Sequence, residues 1–290
     1  MFRRPDRLII AQYEAPKDLS LIAAAELLGD SKRAIAAQVV DFAVRGIVTI
    51  SRDKRKGKDG KPGFSLVLAN PDGVSAGPAG ADERDLLEAI YGVRLKQGTR
   101  FRTNAGSYQN RVLGIQLREP HRRAIARLVA RGLARERNFF VKLLTFWQKQ
   151  PVAPTAAAFP VVDHLWGIHD YVKLAEQDRF RVLQSPDGAE ERTDPLTQLE
   201  ILKLNEKLLP FAVLFNLEKE WMRQLDLQYR SLPPELVESL GTILEVVVLV
   251  GQTIEMVDAI GTVLEATQAL EGVGAVFGGI GEALSSLDIS

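Results

Sequence analysis

Between Asp18 and Leu68, glycines and charged residues cut the chain into short pieces that fit few folds. The segment 18–29 joins strong helix formers to an Asp18 or Ser20 cap and a closing Gly29, which predicts one short helix. Asp30 and Ser31 can cap a second helix running to Arg45, because Ile35, Val39, Phe42 and Ala43 recur at spacings of three and four before Gly46. Residues 47–50 and 64–68 then read as strands, joined by a loop that holds Arg52, Lys54, Arg55, Lys56, Lys58 and Lys61. Helix, turn, helix, strand, basic loop, strand is the order of a winged helix. We assign residues 8–70 to such a domain.

The stretch 70–81 holds two prolines and three glycines and reads as a linker. Beyond it, a helix from Asp82 to about Tyr91 and an Arg-rich helix over 119–131 lead to Gly132, Leu133, Ala134 and Arg135, a second helix-to-wing transition. Residues 82–145 are therefore expected to form a second winged-helix-like unit. The stretch 151–160 reads as another linker, and 161–230 as a helical domain in which Leu165, Ile168, Val172 and Ala175 sit at helical spacing. A turn is expected at Ser185-Pro186-Asp187-Gly188, and Pro210 should kink or break a helix over 196–225. The fold class is thus α+β, mainly helical with small β wings.

The net charge is zero over 290 residues, but it is divided. Residues 1–150 hold 28 Lys and Arg against 15 Asp and Glu; the rest hold 37 − 28 = 9 against 37 − 15 = 22. After Arg230 there are nine acidic residues and no Lys or Arg. Either the basic half meets an anionic partner, or the two halves attract each other within one molecule.

Residues 236–290 form an apolar, acidic tail. Residues 246–250 are apolar, but Glu245, Gln252, Glu255 and Asp258 leave far fewer than the ~20 apolar residues that a membrane span needs. Ile243, Val247, Val250, Ile254 and Val257 instead mark a stripe at heptad-like spacing, which suits packing against another helix or a second copy.

Candidate chemistry is sparse. With no cysteine, thiolate chemistry, thiolate zinc and disulfides are excluded. His164, His169 and Asp170 have the residue types of a metal site, but the two imidazoles are five residues apart and diverge around a helix. The late glycines 272–281 follow no expected strand and lack the Lys-Ser/Thr of a phosphate loop. No cofactor or small-molecule substrate is inferred, and the chain reads as non-enzymatic. Lys32 and Arg33, with the wing residues Arg52, Lys54, Arg55, Lys56, Lys58 and Lys61, are the candidates for phosphate contact. Ala36, Ala37 and Asp41 on the same helix are poor readers of base edges, so protein contact outweighs DNA binding. Arg122, Arg123, Arg127 and Arg131 recur near helical spacing and suggest a face for an anionic partner, or a solvated helix face.

Two stretches resemble a bacterial family of membrane proteins of unknown function, the YciQ-like family. The first is Ala11-Gln-Tyr-Glu-Ala-Pro16 leading into the helix that ends at Gly46. The second runs from Asp163-His-Leu-Trp-Gly-Ile-His-Asp170 through Ala189, with Asn205-Glu-Lys-Leu-Leu-Pro210 and its continuation to Trp221. The resemblance covers most of residues 8–225 and implies a cytoplasmic region at the inner face of a membrane, without catalytic residues. Family members carry membrane helices before the first stretch and between the two, whereas here 143–160 holds Gln148, Lys149, Gln150 and three prolines. The expectation is a relative without those spans, acting as an interaction or scaffold module. A winged-helix DNA-binding regulator is the alternative.

Overall fold

The computed structural model describes residues 4–5, 9–29, 33–56, 62–102, 107–136, 152–183 and 195–231. Helix α1 (Leu21–Leu28) starts where expected: Ser20 caps it, its hydroxyl accepting from the Ala23 N–H at 3.1 Å, and Gly29 closes it at φ 68°. Helix α2 (Ala34–Val44) follows, then an antiparallel hairpin of β1 (Val48–Lys56) and β2 (Pro62–Leu68). Val48, Ile50, Leu66 and Leu68 are buried while Thr49 and Val67 are half-exposed, the alternation of a sheet with one face on a core.

Helix α3 (Gly77–Tyr91) begins inside the stretch read as a linker. Pro78 lies in its first turn, where a missing N–H is harmless, and Asp82 and Glu83 are drawn down onto the preceding helices. Strand β3 (Arg100–Arg102), which the sequence pattern did not suggest, pairs with β2 through Ser65–Arg102 to Val67–Arg100, giving the order β1-β2-β3. Helix α4 (Ser107–Ala130) then leads to β4 (Ala134–Glu136), paired antiparallel with β5 (Val152–Pro154). After a 3₁₀ turn (Ala156–Ala158) come α5 (Phe159–Leu183), α6 (Pro195–Leu214) and α7 (Glu218–Ser231). The fold is therefore α+β and mostly helical. The expected turn at 185–188 lies outside the described residues.

The helix-to-strand junctions at Gly46 and Gly132 are built alike. Gly46 N–H donates to Ala43 C=O at 3.1 Å and Ile47 N–H to Phe42 C=O at 2.8 Å; Gly132 N–H donates to Val129 C=O at 2.9 Å and Leu133 N–H to Leu128 C=O at 3.0 Å. Both glycines have positive φ, 70° and 69°, so each helix ends in a Schellman turn that only glycine adopts without strain. The neighbouring strand then seals each junction, Ala69 N–H to Ile47 C=O at 2.8 Å and Thr155 N–H to Leu133 C=O at 3.0 Å. A helix-to-strand step is thus present at Gly132, where the sequence suggested one. Helix α6 runs through Pro210 and stops at Leu214 by the same closure, with Asn216 at φ 62° in the glycine's place.

Helices α1 and α2 form the centre of the core. Every residue of α1 is buried, and so is every residue of α2 except Asp41 and Val44. Helix α6 packs along α2, α4 packs on α1 and α3, and α7 lies on α6, where the Trp221 indole donates to Asn205 C=O at 2.9 Å. Apolar side chains from the N-terminal helices, the sheet and α5 to α7 join in one continuous core. Each fully buried Leu, Ile or Phe contributes roughly 1.5–3 kcal/mol of transfer free energy.

Candidate functional site

The sequence places phosphate-contacting residues at the start of α2 and on the first hairpin. The structure separates the two. Arg33, the N-cap of α2, lies 2.8 Å from Glu218 at the start of α7 and donates to Val213 C=O at 3.4 Å. Glu218 is only 3% exposed in its side chain, so this guanidinium is committed to the C-terminal helices. Ala36 and Ala37 are buried and α6 packs along α2, so these two positions face protein and not solvent. Gln38 turns inward too, accepting from Leu21 N–H at 3.0 Å and donating to Asp41 at 3.0 Å. Lys32, Lys58 and Lys61 lie outside the described residues. Arg52, Lys54, Arg55 and Lys56 are on β1, which pairs out to Lys56–Pro62 while β3 reaches only Ser65. The basic positions thus fall on a two-stranded ribbon that extends past the third strand.

The arginines of α4 are shared between the molecule and solvent. Arg127 donates to Asp82 at 2.6 Å and also to Asp85, and Arg123 bridges Asp85 at 3.0 Å and Glu119 at 3.1 Å. Arg131 donates to Asp18 C=O at 2.8 Å. These three fasten α4 to α3 and to the approach to α1, so the anions they meet among the described residues include Asp82 and Asp85 of the same chain. Sequence reading missed the counter-ions because Asp82 and Asp85 sit on another helix, some forty residues earlier. Burial holds Asp82 above the usual carboxylate range, against the opposing bonds from Ser20 and Arg127. Arg122 remains 78% exposed. It borders an open cleft of about 370 Å³ between α4 and the second hairpin, lined by Glu119, Arg122, Arg123, Ile125, Glu136 and Val152.

A second carboxylate cluster ties α2 to α3. Arg45 reaches Asp41 at 3.1 Å and Glu83 at 2.8 Å, while Glu83 also accepts from the Ser75 N–H at 2.7 Å. Burial lifts Asp41 to about 6 against the attraction of Arg45. His121 sits 3.1 Å from Glu26 of the buried helix α1.

His164, His169 and Asp170 do not converge on one point. His164 Nε2 donates to Glu14 C=O at 2.7 Å; His169 stacks edge-on with Trp166 and Phe215 and lies 3.2 Å from Asp170. Burial lowers the His169 pKa, opposed by Asp170. Asp170 in turn accepts from Arg4 at 2.6 Å. Among the described residues, no group of three His, Cys, Asp or Glu side chains is placed to hold a metal ion. Instead these residues seat the N-terminal segment on α5. A Cβ on Gly167 would overlap the Ile10 carbonyl oxygen and meet Gln12 Cγ at 2.7 Å, so a glycine is needed where the main chain crosses. Tyr13 and Tyr171 stand 6.2 Å apart, ring to ring. The stretches 10–14 and 164–171 therefore touch each other.

Among the described residues no helix is long and apolar enough to cross a membrane. The assembly stripe Ile243, Val247, Val250, Ile254 and Val257 lies outside them. Comparison with protein families, curated proteins and solved structures gave no match to this chain.

Proposed function

We propose that the chain is a non-enzymatic interaction module: two helix–hairpin units of winged-helix type, set against a helical C-terminal half and related to the cytoplasmic region of YciQ-like membrane proteins. One observation carries this reading. The helix that a DNA-binding winged helix would put into a groove is covered by α6 and pinned by Arg33 and Glu218. A helix of sequence Ala-Ile-Ala-Ala-Gln-Val-Val-Asp-Phe-Ala-Val offers a groove little to hydrogen-bond with, and much apolar surface to leave in water. Its proper neighbour is protein.

What stays accessible suits a polypeptide partner. Arg122, Glu119 and Glu136 put both signs of charge around Ile125 and Val152, a rim-and-floor arrangement common to protein contacts. The acidic, apolar tail adds a means of self-association through the stripe from Ile243 to Val257.

The alternative, a DNA-binding regulator, draws its support from the extended β1–β2 ribbon with Arg52, Lys54, Arg55 and Lys56. Titrating duplex DNA at low salt, where phosphate contacts are strongest, separates the two. The interaction-module reading expects at most sequence-indifferent binding in the roughly 10⁻⁴–10⁻⁶ M range. Sequence-selective binding that is lost on Arg52→Glu and Arg55→Glu substitution would establish the regulator instead. Removing residues 241–290 is expected to lower the oligomeric state without unfolding the rest; an unchanged number of subunits refutes the tail's role in assembly.

A further inference from the structure

The N-terminal segment is held on α5 as a peptide is held in a groove. Main chain of the segment crosses at Gly167, where an added Cβ would overlap the Ile10 carbonyl oxygen, and His164 fixes the Glu14 carbonyl at 2.7 Å. Arg4 reaches Asp170 at 2.6 Å and Tyr13 leans on Tyr171. The seat thus meets a backbone carbonyl, an aromatic ring and a cation of the segment. The occupant itself is lightly held: Ile10 is 72% exposed, Tyr13 52%, and the Arg4 side chain 50%. It joins the body through Ala15, Pro16, Lys17 and Asp18, of which Ala15, Lys17 and Asp18 are exposed, before Ser20 caps α1.

We infer that this seat on α5 is a peptide-docking site, filled within one molecule by residues 9–14 with Arg4 and open to the same segment of a second copy. Both arrangements make the same contacts, so a short hinge and a light hold leave local concentration to choose between them. A short tether supplies an effective concentration in roughly the mM range, so exchange sets in as copies approach that density. The inference does not rest on the tail or on either reading of the hairpin.

Because the chain has no cysteine, single thiols report on the exchange cleanly. Full-length Tyr13→Cys and Tyr171→Cys chains would be mixed near mM concentration with a short bismaleimide, which traps even a minor exchanged population. Circular dichroism first confirms that both variants fold. The expected result is a covalent heterodimer in at least fivefold excess over the Tyr13→Cys homodimer, falling to the homodimer level when Gly167→Leu is added to the Tyr171→Cys chain. Tail-mediated association would raise hetero- and homodimer alike, so the ratio isolates the seat. A heterodimer yield no greater than the homodimer yield, or one unaffected by Gly167→Leu, overturns the inference.

Discussion

Arg33 and Glu218 are 185 residues apart in sequence and 2.8 Å apart in space, with the Glu218 side chain 3% exposed. The pair joins the start of α2 to the start of α7, and so the basic half of the chain to the acidic half. A buried ion pair owes much of its cost of disruption to the charge left behind.

Arg33→Met should therefore destabilise the protein by about 3 kcal/mol, read as a lower urea midpoint, whereas Arg33→Met with Glu218→Gln should recover a large part of that loss. Equal losses in the single and double variants would mean that the pair is not what holds these helices together.

Glu206 on α6 is 4% exposed, and burial lifts its pKa to about 7 against the pull of Lys203. A carboxyl raised in the folded state favours folding only while protonated. The penalty is therefore absent below its unfolded pKa of about 4.3, grows as pH rises, and is complete above about 7. Glu206→Gln should stabilise by about 1 kcal/mol near pH 8, allowing for partial solvent access, and by little near pH 4. A gain independent of pH would trace to packing instead.

Gly167→Ala puts a methyl group into the Ile10 carbonyl. Overpacking of this kind costs about 1–3 kcal/mol, and here it should be relieved by lifting the segment off α5. Hydrogen exchange at residues 10–14 and cleavage after Lys17 should both accelerate while the melting of the helical core moves little.

Arg127→Lys keeps the charge but loses the fork that spans Asp82 and Asp85. A loss of about 1–2 kcal/mol is expected, and Asp85→Asn should cost less in the Lys background than in the native one because the two share a partner. A double-mutant cycle closing without a coupling energy would count against a shared network.

What could be read in the sequence was local. Ser20, Gly29, Gly46 and Gly132 act within a few residues of themselves, so caps, helix ends and both hairpin entries were visible before any tertiary contact. The meaning of the arginines was not. Arg33, Arg123 and Arg127 look alike as residue types, and only packing decides that one meets α7 while the others meet α3. Strand β3 escaped for a related reason, since Arg100-Phe101-Arg102 is too short to show a pattern and exists because β2 has a free edge. Gly167 was the overlooked signal: a glycine inside a helix costs about 1 kcal/mol, which points to something passing close by.

The matching closures at Gly46 and Gly132 make the two hairpins sockets of one gauge. Five residues connect Lys56 to Pro62 in the first, and fifteen connect Glu136 to Val152 in the second. By chain-closure entropy alone, going from five to fifteen connecting residues adds only about 1 kcal/mol, so the framework is nearly indifferent to what is plugged into either socket. Such a chain can change its correspondents by exchanging tips while its core sequence stands still.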